Sequence, residues 1–548
     1  PAEKKSDIQL KVPQSIQPAQ SAGATGAAPA ASPGTAVSPV AKAPAPATAA
    51  GPVTAARTPP KGRATWAWHT ALSPVWLDPQ EYPAGTFTPF IHGYFVHDAV
   101  VKHMPGQPYA PSLAESYEIA PDFMSATFKL RENAKFHDGS PVTSADVKFT
   151  YENYRGGNSR VLKDKTASID TPDERTVKIN FKEPFLDFLV YYGGGASAAG
   201  WVVPAKYYQE VGPDAFKQRP IGAGPFKVVR HVAGQEVEME AFTDYWRKTP
   251  GIQTFVMKGV PEAATRSAMM QAGEADFNTL IPGQLWELVT SDPNQIPAPT
   301  RASAIFLEFP DWQKPDSPLS KRQVREAISL VLDRKAISEA EEAGLSGLVG
   351  NWIPEDAPGA LKVPAPEYNP ERAKQLMIEA GYPDGFEIAQ FTPFPPYFSL
   401  DERVITAMRE LGIRTRLNQM ERAAFSQKLA EGPGALEGML LHVSAAPGDA
   451  ASWVRAWASC NGSSSRTCDP QIDDRLAAYD RSINPQERER IMNELQQYLI
   501  DQHVFPMIYR QALLNSMNSR IANQPDEIFG AVPAHPLIAP PEDVRVKE

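Results

Sequence analysis

The sequence contains very little cysteine and no long apolar run. Cys460 and Cys468, in the stretch CNGSSSRTC, are its two cysteines among 548 residues. Their spacing does not fit a CxxC redox motif or a zinc site. A disulfide that closes a surface loop fits it, and would indicate an oxidising compartment; two unpaired thiols are the alternative. Because no run of about 18 apolar residues occurs, no membrane span is predicted.

Clustered positive charge and catalytic motifs are also missing. Lys and Arg number 54 and Asp and Glu number 64, so the formal net charge is −10. Binding to phosphates by counterion release needs clustered cations, so no nucleic-acid partner is expected. The chain has no GxSxG, Walker A, HExxH or EF-hand pattern. The sequence therefore predicts no catalytic residue, no metal site and no cofactor.

The N-terminal segment, residues 1–62, is rich in alanine and proline and has no aromatic residue. Such a composition buries too little apolar area to offset the entropy of ordering, which predicts a disordered tether. The sequence begins at Pro1 without the basic and apolar regions of a signal peptide, so we expect any such peptide to have been removed. Whether this linker tethers the protein to a membrane stays an open question. There is no cysteine near the start of the sequence that would indicate a lipid anchor.

The stretch FHDGSPVTSADVKFTYENY carries a complete local instruction for a turn and a helix. Asp138-Gly139 is a turn pair. Thr143 is a candidate N-cap, with Asp146 three residues later in a capping-box arrangement. Strand patterns flank this stretch, in SATFKLRENAKF before it and TVKINF after it, and alternating apolar residues predict half-buried antiparallel strands there.

Helices and strands alternate through the rest of the chain. NPERAKQLMIEAGYPDGF predicts a helix that Asn369 caps, that Pro370 starts and that Gly381 ends. SKRQVREAISLVLDRKAI predicts another, because its apolar residues fall on one stripe. The members of that stripe are Val324, Ala327, Ile328, Val331 and Leu332. With strand-like segments such as FEIAQF and IRTRLNQM beside these helices, the sequence predicts α/β lobes.

These segments together resemble bacterial extracellular solute-binding proteins of family 5, the receptors of ABC importers for peptides, nickel, opines and other solutes. The turn-and-helix stretch resembles the family signature, and other matching segments surround it in the family's order. They are LDP, PSLAESYEIAPD, RPIGAGPFKV, GEADF, VREAISLVLDRKAI, NPERAKQLMIEAGYPDGF, LGIRTRL and DDRLAAYDRSINPQERERIMNELQQYLID. The resemblance runs from about residue 65 to about residue 540.

The resemblance implies a two-lobed α/β fold of the type II periplasmic-binding-protein class, with the extra subdomain of the peptide-binding proteins. The expected organisation is 63–100, 217–302 and 506–548 for lobe I, 101–216 for an inserted subdomain, and 303–505 for lobe II. It implies a periplasmic monomer that encloses a small-molecule or peptide ligand by hinge closure. The ligand would pass to an inner-membrane ABC permease, and no catalysis is expected.

Aromatic and histidine residues outside clean core periodicity predict a pocket lined by rings with a few polar groups. The candidate ligand-binding residues are Trp68, His69, His92, Tyr397, His442, Asp449 and Trp453. In peptide receptors of the family, an aspartate of an Asp-Tyr-x-(Asp/Glu)-Pro segment pairs with the peptide's amino group. In HVSAAPGD, Asp449 matches the second acid and Ala446 takes the place of the first, which favours a less charged ligand.

Three alternatives stay open from the sequence. Nickel or a metal chelate would use His69 and His92. A periplasmic hydrolase or lyase on the same scaffold would need a nucleophile beside a base, and the sequence names no such pair. A sensor or chaperone would use the same closure as a transport receptor, and sequence does not separate these roles.

Overall fold

The computed structural model describes most of the chain. The described residues are 47–48, 58–82, 93–194, 199–395, 397–431, 434–444, 448–460, 462, 464–466, 468–532, 535 and 537–547. Within the segment 1–62, Ala47–Thr48 pairs antiparallel with Ser116 and Tyr117, so these two residues depart from the predicted tether. Residues 1–46 and 49–57, and with them most of that prediction, lie outside the described residues.

Lobe I is built on a seven-stranded mixed sheet. Its strands, in spatial order, are Phe226–Val232, Glu236–Ala241, Thr254–Gly259, Arg63–Trp68, Phe277–Asn278, Ser516–Asn518 and Gln295–Pro297. Its described α-helices are Ala263–Gln271, Trp286–Thr290 and Pro525–Ile528. The strand Arg63–Trp68 lies at the centre of this sheet. Buried rings from several strands, among them Trp66, Phe255 and Phe277, form its core.

The inserted subdomain has an antiparallel sheet of its own. Its described strands, in order, are Ala47–Thr48, Ala114–Ile119, Ser125–Leu130, Thr176–Phe181 and Thr166–Asp173, and two smaller pairs are Val101–Met104 with Gln107–Pro111 and Asp98–Ala99 with Trp201–Val202. Its helices are Ser144–Asn153, Ser159–Lys165, Phe188–Tyr192 and Ala205–Gln218. Asp146 accepts hydrogen bonds from the Thr143 amide (2.8 Å) and hydroxyl (2.6 Å), and Gly139 has φ +88°, so the predicted cap and turn are confirmed.

Lobe II has a five-stranded sheet of order Arg414–Leu417, Glu387–Thr392, Met439–Ser444, Thr300–Glu308 and Met507–Leu513. Its helices are Arg322–Leu330, Arg334–Glu342, Pro370–Glu379, Phe398–Arg409, Arg422–Ala430, Ala450–Ala458, Pro470–Arg481 and Pro485–Asp501. Asn369, Pro370 and Gly381 act as predicted: the Asn369 side chain caps the helix and Gly381 has φ +85°. The predicted apolar stripe is buried.

Two details of lobe II differ from the sequence prediction. The stripe segment forms two helices rather than one, because the first ends at Leu330 and the Asp333 side chain caps the second by accepting from the Ala336 amide at 3.0 Å. Met507–Leu513, expected in lobe I, pairs along Thr300–Glu308 in the lobe II sheet. We therefore propose lobe boundaries near residues 299 and 514 instead of 303 and 506.

Candidate functional site

The two lobes are joined by two short linkers. Gln295–Pro297 of the lobe I sheet runs through residues 298 and 299 into Thr300–Glu308 of the lobe II sheet. Met507–Leu513 of lobe II returns through residues 514 and 515 into Ser516–Asn518 of lobe I. A connection of this kind permits one lobe to rotate against the other.

The linkers are hydrogen-bonded to each other. The Ala298 amide donates to the Asn515 carbonyl at 2.8 Å. The Asn515 side-chain amide donates to the Ala298 carbonyl at 3.3 Å and to the Thr300 hydroxyl at 3.2 Å. The two linkers therefore form one structural unit at the base of the cleft between the lobes.

One edge of the lobe II sheet faces this hinge. The parallel strands Glu387–Thr392 and Met439–Ser444 end there, and the carboxyl ends of parallel strands are where α/β proteins bind ligands. The antiparallel neighbours share the edge, because Ala304 is opposite both Ser444 and Arg510. Residues 300–304 and 510–513 thus lie beside the loops that follow residues 392 and 444.

This hinge edge is rich in buried polar atoms that have no hydrogen-bond partner within the part of the chain that the structure describes. They are Arg301 Nε, Ser303 Oγ, Arg510 Nε, Gln511 Oε1 and Asn515 Oδ1. Buried polar groups are ordinarily paired, since leaving one unpaired costs about 1–3 kcal/mol. A concentration of such groups at a cleft is typical of a site that pairs them with a ligand or with ordered water.

A second contact joins the lobes at the inserted subdomain. Arg488 Nη2 of lobe II lies 2.5 Å from Asp187 Oδ1 of the subdomain, and the two side chains are 10% and 14% exposed. The Arg488 guanidinium also lies 3.7 Å from the centre of the Tyr479 ring, within lobe II. Close by, a Cβ on Gly448 would come within 2.8 Å of Val190 Cγ1, so glycine permits the approach. We call the Asp187–Arg488 pair the latch.

Asp449 lies beside the latch. It caps the helix Ala450–Ala458, where its carboxylate accepts from the Ser452 amide at 2.9 Å and from the Ser452 hydroxyl at 2.6 Å. Burial raises the pKa of Asp187, and the negative charge of Asp449 raises it further, whereas Arg488 acts in the opposite direction. The carboxylates of Asp187 and Asp449 thus lie at the same end of the cleft, and Arg488 forms an ion pair with Asp187.

Three of the predicted ligand-binding residues lie at cleft edges. His69 follows the lobe I strand Arg63–Trp68 directly and is half-buried. Tyr397 follows the Glu387–Thr392 strand, and its hydroxyl accepts from the Gln511 side-chain amide at 2.8 Å. Asp449 is the third. The structure therefore brings Tyr397 to the hinge edge and Asp449 to the latch, while His69 lies on the opposite lobe.

Three other predicted residues lie inside the lobes, which corrects their assignment to a pocket. Trp68 is 3% exposed in the lobe I core. His442 is 1% exposed, with Nε2 2.6 Å from Glu308 Oε2. Trp453 is fully buried, its ring 5.6 Å from that of Trp352. The reason is shared: both faces of these strands and the inner face of the helix Ala450–Ala458 are covered by apolar residues.

The other predicted positions have separate outcomes. His92 and Ala446 lie outside the described residues. The sulfur atoms of Cys460 and Cys468 are 2.04 Å apart, so the structure joins them as a disulfide. In the described ranges, no cluster of three His, Cys, Asp or Glu residues could hold a metal ion. No helix within those ranges is long and apolar enough to cross a membrane.

The hinge-edge residues were missed by sequence reasoning. Two strands connect the lobes, and we call Thr300–Glu308 the first crossing strand and Met507–Leu513 the second. Arg301 and Ser303 belong to TRASA, the polar start of the first, which continues into the apolar IFLEF. Gln511 and Asn515 similarly flank the apolar end of the second. A polar run at the start of a buried strand was the available signal, but sequence does not show that both strands cross between lobes.

Comparison with known proteins gives consistent results. The family model described as "Bacterial extracellular solute-binding proteins, family 5 Middle" matches residues 108–465. The glutathione-binding protein GsiB of Salmonella typhi is 27% identical over 406 residues, covering 70% of this chain and 77% of that protein. Heme-binding protein A of Haemophilus influenzae is 28% identical over 411 residues, covering 67% of this chain and 72% of that protein.

Solved structures share the architecture. The PBP AgaA from A. tumefacien R10, in complex with agropinic acid, has a TM-score of 0.75 at 24% identity, covering 89% of this chain and 99% of that one. The periplasmic binding protein DppA from Helicobacter pylori, in complex with the peptide STSA, has a TM-score of 0.74 at 19% identity, with 89% and 98% covered. The two-lobed α/β fold of the periplasmic binding proteins is thereby confirmed.

Proposed function

Because this chain belongs to family 5 of the bacterial extracellular solute-binding proteins, we propose that it is the substrate-binding protein of an ABC importer. It captures a small organic solute between its lobes and presents the closed form to a membrane permease. The observation that carries this proposal is the hinge: two hydrogen-bonded linkers at the base of a cleft, whose edge bears buried polar atoms that have no hydrogen-bond partner among the described residues. Capture by closure needs no nucleophile or general base.

The family match supports the broad assignments. Family 5 proteins bind small-molecule or peptide ligands outside the cytoplasm, and they are binding proteins rather than enzymes. The finer statements are part of our proposal. They are a periplasmic monomer, an inner-membrane permease as partner, a tether in residues 1–62, and the disulfide between Cys460 and Cys468 as the clamp of a surface loop.

For the ligand we propose a peptide-type solute. A relative that covers most of this chain is named for binding glutathione, which is itself a peptide. The hinge edge offers arginine donors together with amide and hydroxyl groups, which are complementary to carboxylates and peptide bonds. Tyr397 adds a ring and a hydroxyl at the same edge. Of the predicted residues, we retain His69, Tyr397 and Asp449 as candidate ligand contacts.

Native mass spectrometry of the purified protein tests the function directly. We expect a co-purified organic molecule in one-to-one ratio, whose mass is unchanged after prolonged incubation. Small-angle X-ray scattering is expected to show a smaller radius of gyration with that molecule than after its removal. Chemical conversion of the bound molecule would instead favour an enzyme, and a radius of gyration that does not change would argue against capture by closure.

A further inference from the structure

We propose that Arg301 is the residue that recognises an anionic group of the ligand, of the carboxylate class. The inference rests on the proposed function, because it assigns chemistry to one point of the same cleft. It is carried by the position of Arg301 on the strand Thr300–Glu308, by the absence of a side-chain partner for it among the described residues, and by the arrangement of charge around it.

Arg301 lies at the hinge edge, at the start of the strand Thr300–Glu308. No hydrogen bond or ion pair joins its guanidinium to any described residue, and its Nε is buried. The position is shaped for it, since a Cβ on residue 347 would lie 2.2 Å from Arg301 Nη1 and glycine occupies that position. Gly347 itself is held against the second crossing strand by two backbone hydrogen bonds to Arg510, of 2.8 and 2.7 Å.

The charge that acts most strongly on Arg301 is another cation, Arg510. Burial lowers the pKa of Arg301, and the positive charge of Arg510 lowers it further. Asp356 is engaged by Arg510, at 2.7 Å from Nη2. Among the described residues, no carboxylate oxygen lies within ion-pair distance of Arg301; Glu355 and Asp356 act on it only from farther away. An anion placed beside Arg301 would offset both the free-energy cost of burying its charge and the repulsion from Arg510.

The neighbouring groups favour a carboxylate on an organic molecule that also carries N–H groups. A guanidinium fork matches the two oxygens of a carboxylate. The same hinge edge carries Gln511 Oε1, Asn515 Oδ1 and the hydroxyl of Ser303, which have no hydrogen-bond partner among the described residues and belong to residues at most 2% exposed. Amide or ammonium groups of the ligand would pair with these acceptors.

A purely structural role for Arg301 makes a different prediction. When an arginine that supports the fold is replaced, the protein loses stability, because the hydrogen-bond partners of that arginine become unpaired. The Arg301 guanidinium has no such partner in the part of the chain that the structure describes, and its charge repels that of Arg510. We therefore expect Arg301→Gln, in the ligand-free protein, to leave the melting temperature unchanged or to raise it.

Calorimetric titration after removal of bound ligand by dialysis tests the inference. The probes are trialanine and glutathione, each compared with its carboxyl-blocked form, trialanine amide and glutathione dimethyl ester. We expect at least one acid to bind the wild type. Its blocked form should bind about ten-fold more weakly, as loss of a charge-assisted hydrogen bond implies. Arg301→Gln should weaken binding of the acid by about the same factor and leave the blocked form unaffected.

Two further variants complete the design. Arg301→Lys keeps the charge without the fork, so we expect an affinity between those of the wild type and Arg301→Gln. Arg322→Gln removes an exposed arginine of lobe II and should bind as the wild type does. Equal affinity for acid and blocked form, or full affinity in Arg301→Gln, would overturn the inference.

The outcome for Arg301 is separable from that for the function. A ligand that co-purifies equally with the wild type and Arg301→Gln would leave the receptor function standing and overturn the role of Arg301. Absence of binding to the wild type in both calorimetry and native mass spectrometry would count against the proposed function and, with it, the inference.

Discussion

Replacement of Arg488 by glutamine is expected to open the cleft. In the structure the Arg488 side chain makes two kinds of contact: within lobe II, a cation–π contact with the Tyr479 ring and a hydrogen bond from Nη1 to the Tyr479 carbonyl at 3.0 Å, and across the lobes, the latch to Asp187. Opening breaks only the second. The substitution therefore removes an interaction that distinguishes the closed from the open form, which shifts the equilibrium between them.

The size of the shift follows from the burial of the pair. Exposed ion pairs contribute about 0–1 kcal/mol, and buried charge-assisted hydrogen bonds about 1.5–3 kcal/mol. With both side chains close to one-tenth exposed, we expect about 1.5 kcal/mol, or roughly a ten-fold shift toward the open form. Asp187 would also be left beside Asp449 without its cation, which adds to the effect. Asp187→Asn in the same chain should therefore recover part of the loss.

Small-angle scattering of the ligand-free protein, with ligand affinity by calorimetry, provides the assay. Arg488→Gln should give a larger radius of gyration and a weaker affinity, and the double variant should fall between it and the wild type. The matched control is Arg490→Gln on the same helix, whose partners Glu487 and Glu494 are exposed. Scattering and affinity equal to the control's would refute the assignment of the pair as a latch.

Three further predictions concern stability and are measured by urea denaturation. Burial raises the pKa of Glu342 to about 8 from an ordinary value of 4.5, so the folded state keeps a proton that the unfolded state releases. The resulting stabilisation is complete below about pH 4.5 and is lost as pH rises to about 8, by up to ~1.4 kcal/mol per pH unit. Glu342→Gln should flatten this slope, and parallel pH profiles of variant and wild type would contradict the assignment. Lys102→Met should cost about 3 kcal/mol, because the buried Asp98 carboxylate, 2.8 Å from Lys102 Nζ, loses its cation and keeps only its hydrogen-bond donors; a loss below 1 kcal/mol would contradict it. Asp146→Ala removes the acceptor of three hydrogen bonds and should cost about 2 kcal/mol, whereas loss of one exposed cap bond alone would cost about 1.

The parts of the fold that sequence predicted well depend on residues close together in the chain. The Thr143–Asp146 cap and the helix from Asn369 to Gly381 each carry their signals within a dozen residues. The break after Leu330 was missed although its signal is local too, because Asp333 lies within an apolar stripe that continues across the break. A periodic pattern alone does not show where one helix yields to the next.

The candidate site was harder to predict because its contacts are distant in sequence. Asp187 and Arg488 are separated by 301 positions, and each looks like an ordinary surface charge in its own segment. His442 was predicted to line the pocket, yet every residue of Met439–Ser444 is buried. A strand covered on both faces has no alternation to show which face meets the cleft.

The bonds between the two linkers also restrict how the lobes move. A pair of hydrogen-bonded strands bends across its own plane with little loss, whereas swivelling or sliding one strand past the other would break the Ala298–Asn515 bonds. We therefore expect the lobes to open and close about one axis, so that the width of the closed gap between them selects ligands by length.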